Sequence, residues 1–170
     1  EYNYARVQEL LSQALSESPD IIILPETWNT GFHPSKDLIN ISDRNGERTK
    51  DLLSTFAKEH NVNIVGGSVA VAKEDLIFNT SYAYNREGKL VGEYSKMHGF
   101  SPAKEDQYFA SGTHTTHFEL DGIPCSTVIC YDIRFPELVR MAALSNTQLL
   151  FVPAQWTTMR LRHWQVLNEV

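Results

Sequence analysis

The run Ile21-Ile22-Ile23-Leu24 constrains this chain more than any other segment. Four consecutive apolar residues, three of them β-branched, present no polar face to water. They read as a strand buried on both sides, as in a parallel sheet with covered faces. Ahead of it, Tyr4, Val7, Leu11, Ala14 and Leu15 recur at helical spacing until Ser18-Pro19 breaks the pattern. Beyond it, Leu52, Leu53, Phe56 and Ala57 give one apolar side to a helix from Thr49 to His60, and Val62-Asn63-Ile64-Val65 forms the next strand. Gly66-Gly67 then allows a close turn.

From there strands follow one another without helices. Ser68 to Ala72, Ile77 to Tyr84 and Leu90 to Tyr94 are separated by Lys73-Glu74-Asp75 and Asn85-Arg86-Glu87-Gly88, both hairpin signals. The segment from Met97 to Thr113 reads as a loop. A strand near Thr116 to Leu120, a turn at Asp121-Gly122 and a further strand from Ile123 to Ile129 lead to a helix from about Pro136 to Leu144. A strand from Gln148 to Val152 follows, and His163-Trp164 opens a last helix expected to pack on the core. The pattern is a mixed α/β sheet with helices packed on it.

With 170 residues the chain is long enough for one domain with a substantial core. Its net charge of -6 and scattered lysines and arginines speak against nucleic acid as a partner. No apolar stretch approaches a membrane span. Cys125 and Cys130 are its two cysteines. On one extended strand they would stand roughly 16 Å apart at about 3.3 Å per residue. A disulfide needs Cα atoms within about 7 Å, so both thiols are expected free and the compartment reducing, that is, cytoplasmic.

Three reactive side chains share one kind of position. Cys130 ends the apolar run Ile123 to Ile129, and Pro136 suits the first turn of the helix that follows. A thiol where a strand stops and a helix is about to begin is expected to be accessible and near positive backbone dipoles, which favour the thiolate. Glu26 lies just past Ile21 to Leu24 and Pro25, and Lys96 just past Leu90 to Tyr94 and Ser95. In open α/β sheets strand ends collect ligands in one crevice. A carboxylate, an ammonium and a thiol there form a consistent set of proton acceptor, anion holder and nucleophile.

Leu24-Pro25-Glu26-Thr27-Trp28-Asn29-Thr30-Gly31-Phe32, Tyr94-Ser95-Lys96-Met97-His98 and Val128-Ile129-Cys130-Tyr131-Asp132-Ile133-Arg134-Phe135-Pro136-Glu137 resemble, in this order, the nitrilase superfamily of carbon–nitrogen hydrolases. Phe78-Asn79-Thr80 and Pro153-Ala154-Gln155-Trp156 extend the likeness over nearly the whole chain, which looks nearest to the ω-amidase-like branch. The resemblance implies an α-β-β-α sandwich, with residues 1–170 a single but incomplete domain lacking a first strand and a C-terminal part. It implies Glu26 as general base, Lys96 as catalytic lysine, Cys130 as nucleophile, Glu105 as a supporting second glutamate, and the Tyr131 backbone N–H as an oxyanion donor. It implies an amide-hydrolysing enzyme acting on a small carboxylate-bearing substrate through a thioester, without cofactor or metal, and a homodimer. Nitrile hydrolysis, N-carbamoyl cleavage, acyl transfer and a non-catalytic scaffold are the alternatives.

Phe32 and Trp156 are candidates to line the substrate pocket, and Trp28 is a third aromatic near the strand ends. Cys125 reads as a small core residue. His114, His117 and Glu119 lack a third ligand on one face and read as surface residues. His98 is either a partner near Lys96 or an ordinary loop histidine. Arg134 is expected chiefly to pair with an acid that fixes the turn after Cys130, and secondarily to read an anionic substrate.

Overall fold

Tyr4, Val7 and Leu11 bring helix α1 (Tyr2–Ala14) down on a sheet, as their spacing requires. The structure, a computed structural model, describes residues 1–31 and 34–169. A 3-10 turn carries α1 into strand β1 (Ile21–Ile23). Helix α2 (Leu38–Ile41), strand β2 (Asp43–Arg44), helix α3 (Glu47–His60) and strand β3 (Asn63–Val65) follow. Strands β4 (Val69–Lys73), β5 (Leu76–Tyr84) and β6 (Leu90–Ser95) then form two successive hairpins, as their turn residues predict.

The nine-residue strand β5 is the spine of this first sheet. Strand β4 runs antiparallel along its first half, from Val69 opposite Thr80 to Lys73 opposite Leu76. On the same side, β3 takes its end, with Val65 opposite Ala83. The other side of β5 holds β6. Parallel pairs with β1 and β2 extend the sheet beyond β3 and β4. Helices α1 and α3 cover one face, packing Val7, Leu11, Leu53, Phe56 and Ala57 against Ile22, Ile64, Val69, Val71 and Tyr82. Each valine, leucine, isoleucine or phenylalanine among them, fully buried, contributes about 1.5–3 kcal/mol.

The second sheet contains β7 (His117–Leu120), β8 (Ile123–Thr127) and β9 (Leu149–Phe151). Its inner face sets Phe118, Leu120, Cys125 and Phe151 against Val65 and Ala83 of the first sheet. Strands β8 and β9 are parallel, so their connection needs a crossover. Helix α5 (Pro136–Leu144) makes it, burying Leu138 and Ala142. The layers are those of an α-β-β-α sandwich. Ile123 of β8, Leu149 of β9 and Met141 and Leu144 of α5 remain exposed.

Some expectations fail for physical reasons. Ile23 is 51% exposed, because β1 is the edge of its sheet and the second sheet does not reach it. Three short elements lie where a loop or nothing regular was expected: α2, β2 and helix α4 (Glu105–Tyr108). None is long enough to show a hydrophobic period. Strand β2 nonetheless matters: its Asp43 accepts the Thr49 N–H at 2.8 Å and the Arg48 N–H at 3.3 Å, satisfying free donors in the first turn of α3. The last helix, α6 (Leu161–Asn168), buries no residue in the core. Trp164 instead packs its ring 5.1 Å from that of Trp156. Among the described residues no helix is long and apolar enough to cross a membrane.

Candidate active site

Glu26 owes its position to a tight crossing of two loops. The Pro25 carbonyl accepts the Ser68 N–H at 3.0 Å, and Ser68 in turn accepts the Thr27 N–H at its Oγ and the Trp28 N–H at its carbonyl. Gly67, at φ +61°, makes the crossing feasible, since a Cβ there would stand 2.0 Å from the Pro25 oxygen. Trp28 anchors the far side through its ring N–H to the Gly66 carbonyl at 2.9 Å. It is a core residue and does not line the pocket.

Lys96 is fixed one residue past β6. Its N–H donates to the Asn79 carbonyl and its carbonyl accepts from Gly112, both at 2.8 Å. A Cβ at Gly112 would meet the Ser95 oxygen at 2.0 Å, so glycine is required for this approach. Lys96 Nζ then lies 2.8 Å from Glu26 Oε1 and 2.7 Å from Glu105 Oε2. The three side chains are 3%, 0% and 2% exposed. Burial alone would push the ammonium down, but the two carboxylates outweigh it and hold the Lys96 pKa above its ordinary value. For Glu105 burial wins over Lys96 and its pKa is raised. Glu105 opens α4 and also accepts the Phe100 N–H at 2.8 Å. The element missed in the sequence is thus the one that presents the second glutamate.

Cys130 follows β8 as expected. Pairing with the β9 segment continues past the strand, from the Val128 N–H to Phe151 and from the Cys130 N–H to Pro153, both at 3.0 Å. Cys130 then takes φ +47°, a region non-glycine residues occupy only when their surroundings enforce it. A 3-10 turn, Cys130–Arg134, precedes α5. The Tyr131 N–H has no acceptor among the described residues. The thiol lies 3.7 Å from the Gln155 carbonyl. It is not the accessible, acidified thiol that its place in the sequence predicts. Cys130 is 4% exposed, and burial, then the nearby Glu26 carboxylate, push its pKa up despite Lys96.

The structure therefore brings Glu26, Lys96 and Glu105 into contact and sets Cys130 beside them. Gln155 and Asn79 complete the cluster. Gln155 donates its N–H to Glu26 Oε2 at 2.9 Å, and Asn79 donates its side-chain N–H to Glu26 Oε1 at 3.0 Å. Neither was singled out as a site residue, although each lies in a stretch that carries the family resemblance. Cys125 is a free thiol in the core between the sheets.

A pocket of about 470 Å³ opens on Cys130 and Tyr131. Trp156 lines it. Phe32 lies outside the described residues. Arg134 departs from its expected pairing. It meets His163 Nδ1 at 3.0 Å and lies over the Tyr131 and Trp156 rings, with no carboxylate partner among the described residues. Lys104 and Arg160 also line the pocket without such a partner there. An acidic chain thus gathers three cations at one opening, none with a carboxylate partner among the described residues. His98 bonds Asp132 through Nδ1 at 2.8 Å. No group of His, Cys, Asp or Glu suited to a metal occurs among the described residues, and His117 meets Ser126 Oγ instead.

Comparison with known proteins bears on this cluster. The 2-oxoglutaramate amidase of Bacillus subtilis is 40% identical over 159 residues, covering 94% of this chain and 61% of that protein. An omega-amidase of Danio rerio is 30% identical over 175 residues, covering 98% of this chain and 63% of that protein. The crystal structure of Nit3 from Saccharomyces cerevisiae, a member of branch 10 of the nitrilase superfamily, superposes with TM-score 0.85 at 28% identity, covering 98% of this chain and 63% of that one. The chain thus spans a little over three fifths of the length of these relatives. The model of the carbon-nitrogen hydrolase family matches residues 1–170. With that match laid over these strand ends, the chain belongs to the carbon-nitrogen hydrolase family.

Proposed function

We propose that the protein hydrolyses the amide of a small, carboxylate-bearing molecule, with Cys130 as nucleophile, Glu26 as general base and acid, and Lys96 and the Tyr131 N–H as oxyanion donors. The single observation that carries this reading is the Glu26–Lys96–Glu105 cluster, buried beside the Cys130 sulfur. Burying three ionisable side chains carries a desolvation cost that their attraction offsets at best in part, and groups arranged this way cluster at functional sites.

The raised thiol pKa defines the order of events. Cys130 rests as a neutral thiol, so Glu26 takes its proton as sulfur attacks the amide carbon. Charge develops on the carbonyl oxygen, facing Lys96 Nζ and the Tyr131 N–H, each such donor being worth about 3–4 kcal/mol in the transition state. The C–N bond breaks, Glu26 returns the proton to the leaving nitrogen, and ammonia departs. The thioester carbon then accepts water. Its proton passes through Glu26 to the sulfur, and the carboxylic acid leaves. Glu105 accepts a second bond from Lys96 Nζ, so the ammonium stays charged and aimed.

Two observations support a carboxylate on the substrate. The pocket presents Lys104, Arg134 and Arg160 without acidic partners among the described residues, and the Bacillus subtilis relative is named for an amide that carries a carboxylate. The test is mass spectrometry of full-length protein quenched during turnover of short dicarboxylic acid monoamides. We expect an acyl adduct on the Cys130 peptide and ammonia released in step with it. Ammonia release from the Cys130→Ala protein at the parent rate refutes the reading.

A further inference from the structure

We infer that Asp132 is a positioning residue, a single buried carboxylate that keeps the Lys96 ammonium and the Tyr131 N–H in register with each other. The inference rests on the reaction proposed above and adds to it a group that touches neither substrate nor sulfur.

Asp132 is 0% exposed. Its Oδ2 accepts the Ile129 N–H at 3.0 Å, and its own N–H donates to the Ile129 carbonyl at 3.0 Å. This reciprocal pair closes a ring, and the only residues inside it are Cys130 and Tyr131. The ring holds Cys130 at its positive φ. The Tyr131 N–H lies inside the ring and, as one of the free donors in the first turn of the 3-10 segment, meets no acceptor among the described residues.

The same carboxylate grips the other half of the site. Oδ2 also accepts the Tyr94 hydroxyl at 2.7 Å, while Oδ1 accepts the His98 N–H at 2.9 Å and faces His98 Nδ1 at 2.8 Å. Tyr94 and His98 stand two residues before and after Lys96. The His98 ring stacks on Phe135 with centroids 3.6 Å apart and planes 10° apart, closing the far end of the 3-10 turn. Four donors from two distant segments converge on one side chain. A carboxylate suits this task because it only accepts and has room for about four hydrogen bonds. An amide of the same shape would turn a donor toward one pair of donors.

The test uses full-length protein, with rates expressed per folded molecule. In Asp132→Asn, kcat should fall about a hundredfold, the loss typical of one oxyanion donor, with KM within about threefold of the parent. In Tyr94→Phe, kcat should fall about tenfold, as for one charge-assisted hydrogen bond. His98→Asn, whose amide N–H can take the Nδ1 position, should restore most of the kcat lost in His98→Ala. If Asp132→Asn does not fold, the Tyr94 and His98 variants carry the test. A parental kcat in Asp132→Asn and Tyr94→Phe, a loss confined to KM, or no rescue by His98→Asn overturns the inference. Cys130→Ala separates the two levels. If it turns over near the parent rate, the thioester reading itself fails; if it is inert while Asp132→Asn keeps its kcat, only the role of Asp132 fails.

Discussion

Gln155 grips Glu26 at both ends: its N–H donates to the carboxylate at 2.9 Å and its side-chain amide donates to the Glu26 carbonyl at 2.6 Å, across 129 residues of chain. The carbonyl of the same residue faces the Cys130 sulfur at 3.7 Å. One glutamine thus sets the direction of the proposed base and its distance from the proposed nucleophile. In Gln155→Leu the backbone bond survives and the Glu26 carbonyl loses its side-chain donor. An acceptor left unpaired in a buried place costs about 1–3 kcal/mol, and each kcal/mol lowers Tm by about 2–4 °C in a chain of this size. Thermal denaturation should show a loss of several degrees. Steady-state kinetics should show a lower kcat, because the Glu26 backbone is freed to shift.

Lys96 is the only cation in contact with Glu26 and Glu105 among the described residues. Lys96→Met keeps the unbranched stem of the side chain without its ammonium and leaves two buried carboxylates with no cation between them. Removing one partner of a buried pair typically costs about 3–5 kcal/mol. The urea midpoint should drop accordingly, and Glu105→Gln added to Lys96→Met should recover part of the loss by removing one of the two charges. A midpoint unchanged in Lys96→Met would mean that the two carboxylates do not need a cation between them.

The Cys130 thiol is raised above its ordinary value near 9.0, by burial first and Glu26 second. Above that pH the unfolded chain releases this proton while the folded chain keeps it. Ionisation therefore favours the unfolded state, and the thiol contributes a loss of stability that begins near pH 9 and grows as pH rises toward the folded value. Lys96 acts with the same sign at higher pH. Its raised pKa stabilises the fold fully below about 10.5 and less as pH climbs through the folded value. Denaturation measured from pH 7 to pH 10 should give a shallower decline in Cys130→Ala than in the parent, the difference opening above pH 9.

The strand ends that carry the candidate site were legible because their strands were. Ile21 to Ile23 and Leu90 to Ser95 announce themselves by composition and by turn residues, so Glu26 and Lys96 fall just past them. Pro136 likewise marks where α5 starts. What could not be read depends on groups far away in the chain. The accessible, acidified Cys130 expected from local position is overturned by burial and by a carboxylate 104 residues earlier in the chain, at Glu26. Asp43 caps α3 from a two-residue strand too short to show a period. Ile23 looked buried because its composition says so, yet edge position is a property of the whole sheet.

Arg134 provides the sharpest test of what the pocket selects. Its guanidinium lies over the Tyr131 and Trp156 rings, 5.7 Å and 5.1 Å from their centroids, and meets an imidazole instead of an acid. Aromatic faces hold an arginine in place without neutralising it. The side chain is therefore oriented at the pocket wall with its charge unspent, in the turn that follows Cys130. A substrate carboxylate bound there gains a charge-assisted contact worth about 1.5–3 kcal/mol, which is roughly 10–150-fold in affinity. Arg134→Leu should therefore raise KM by at least tenfold for the monoamide of a short dicarboxylic acid. For an uncharged amide of equal length KM should move little, and kcat for both should stay near the parent because the proposed oxyanion donors are untouched. Equal losses on the charged and uncharged amides would show that Arg134 shapes the turn and does not read the substrate.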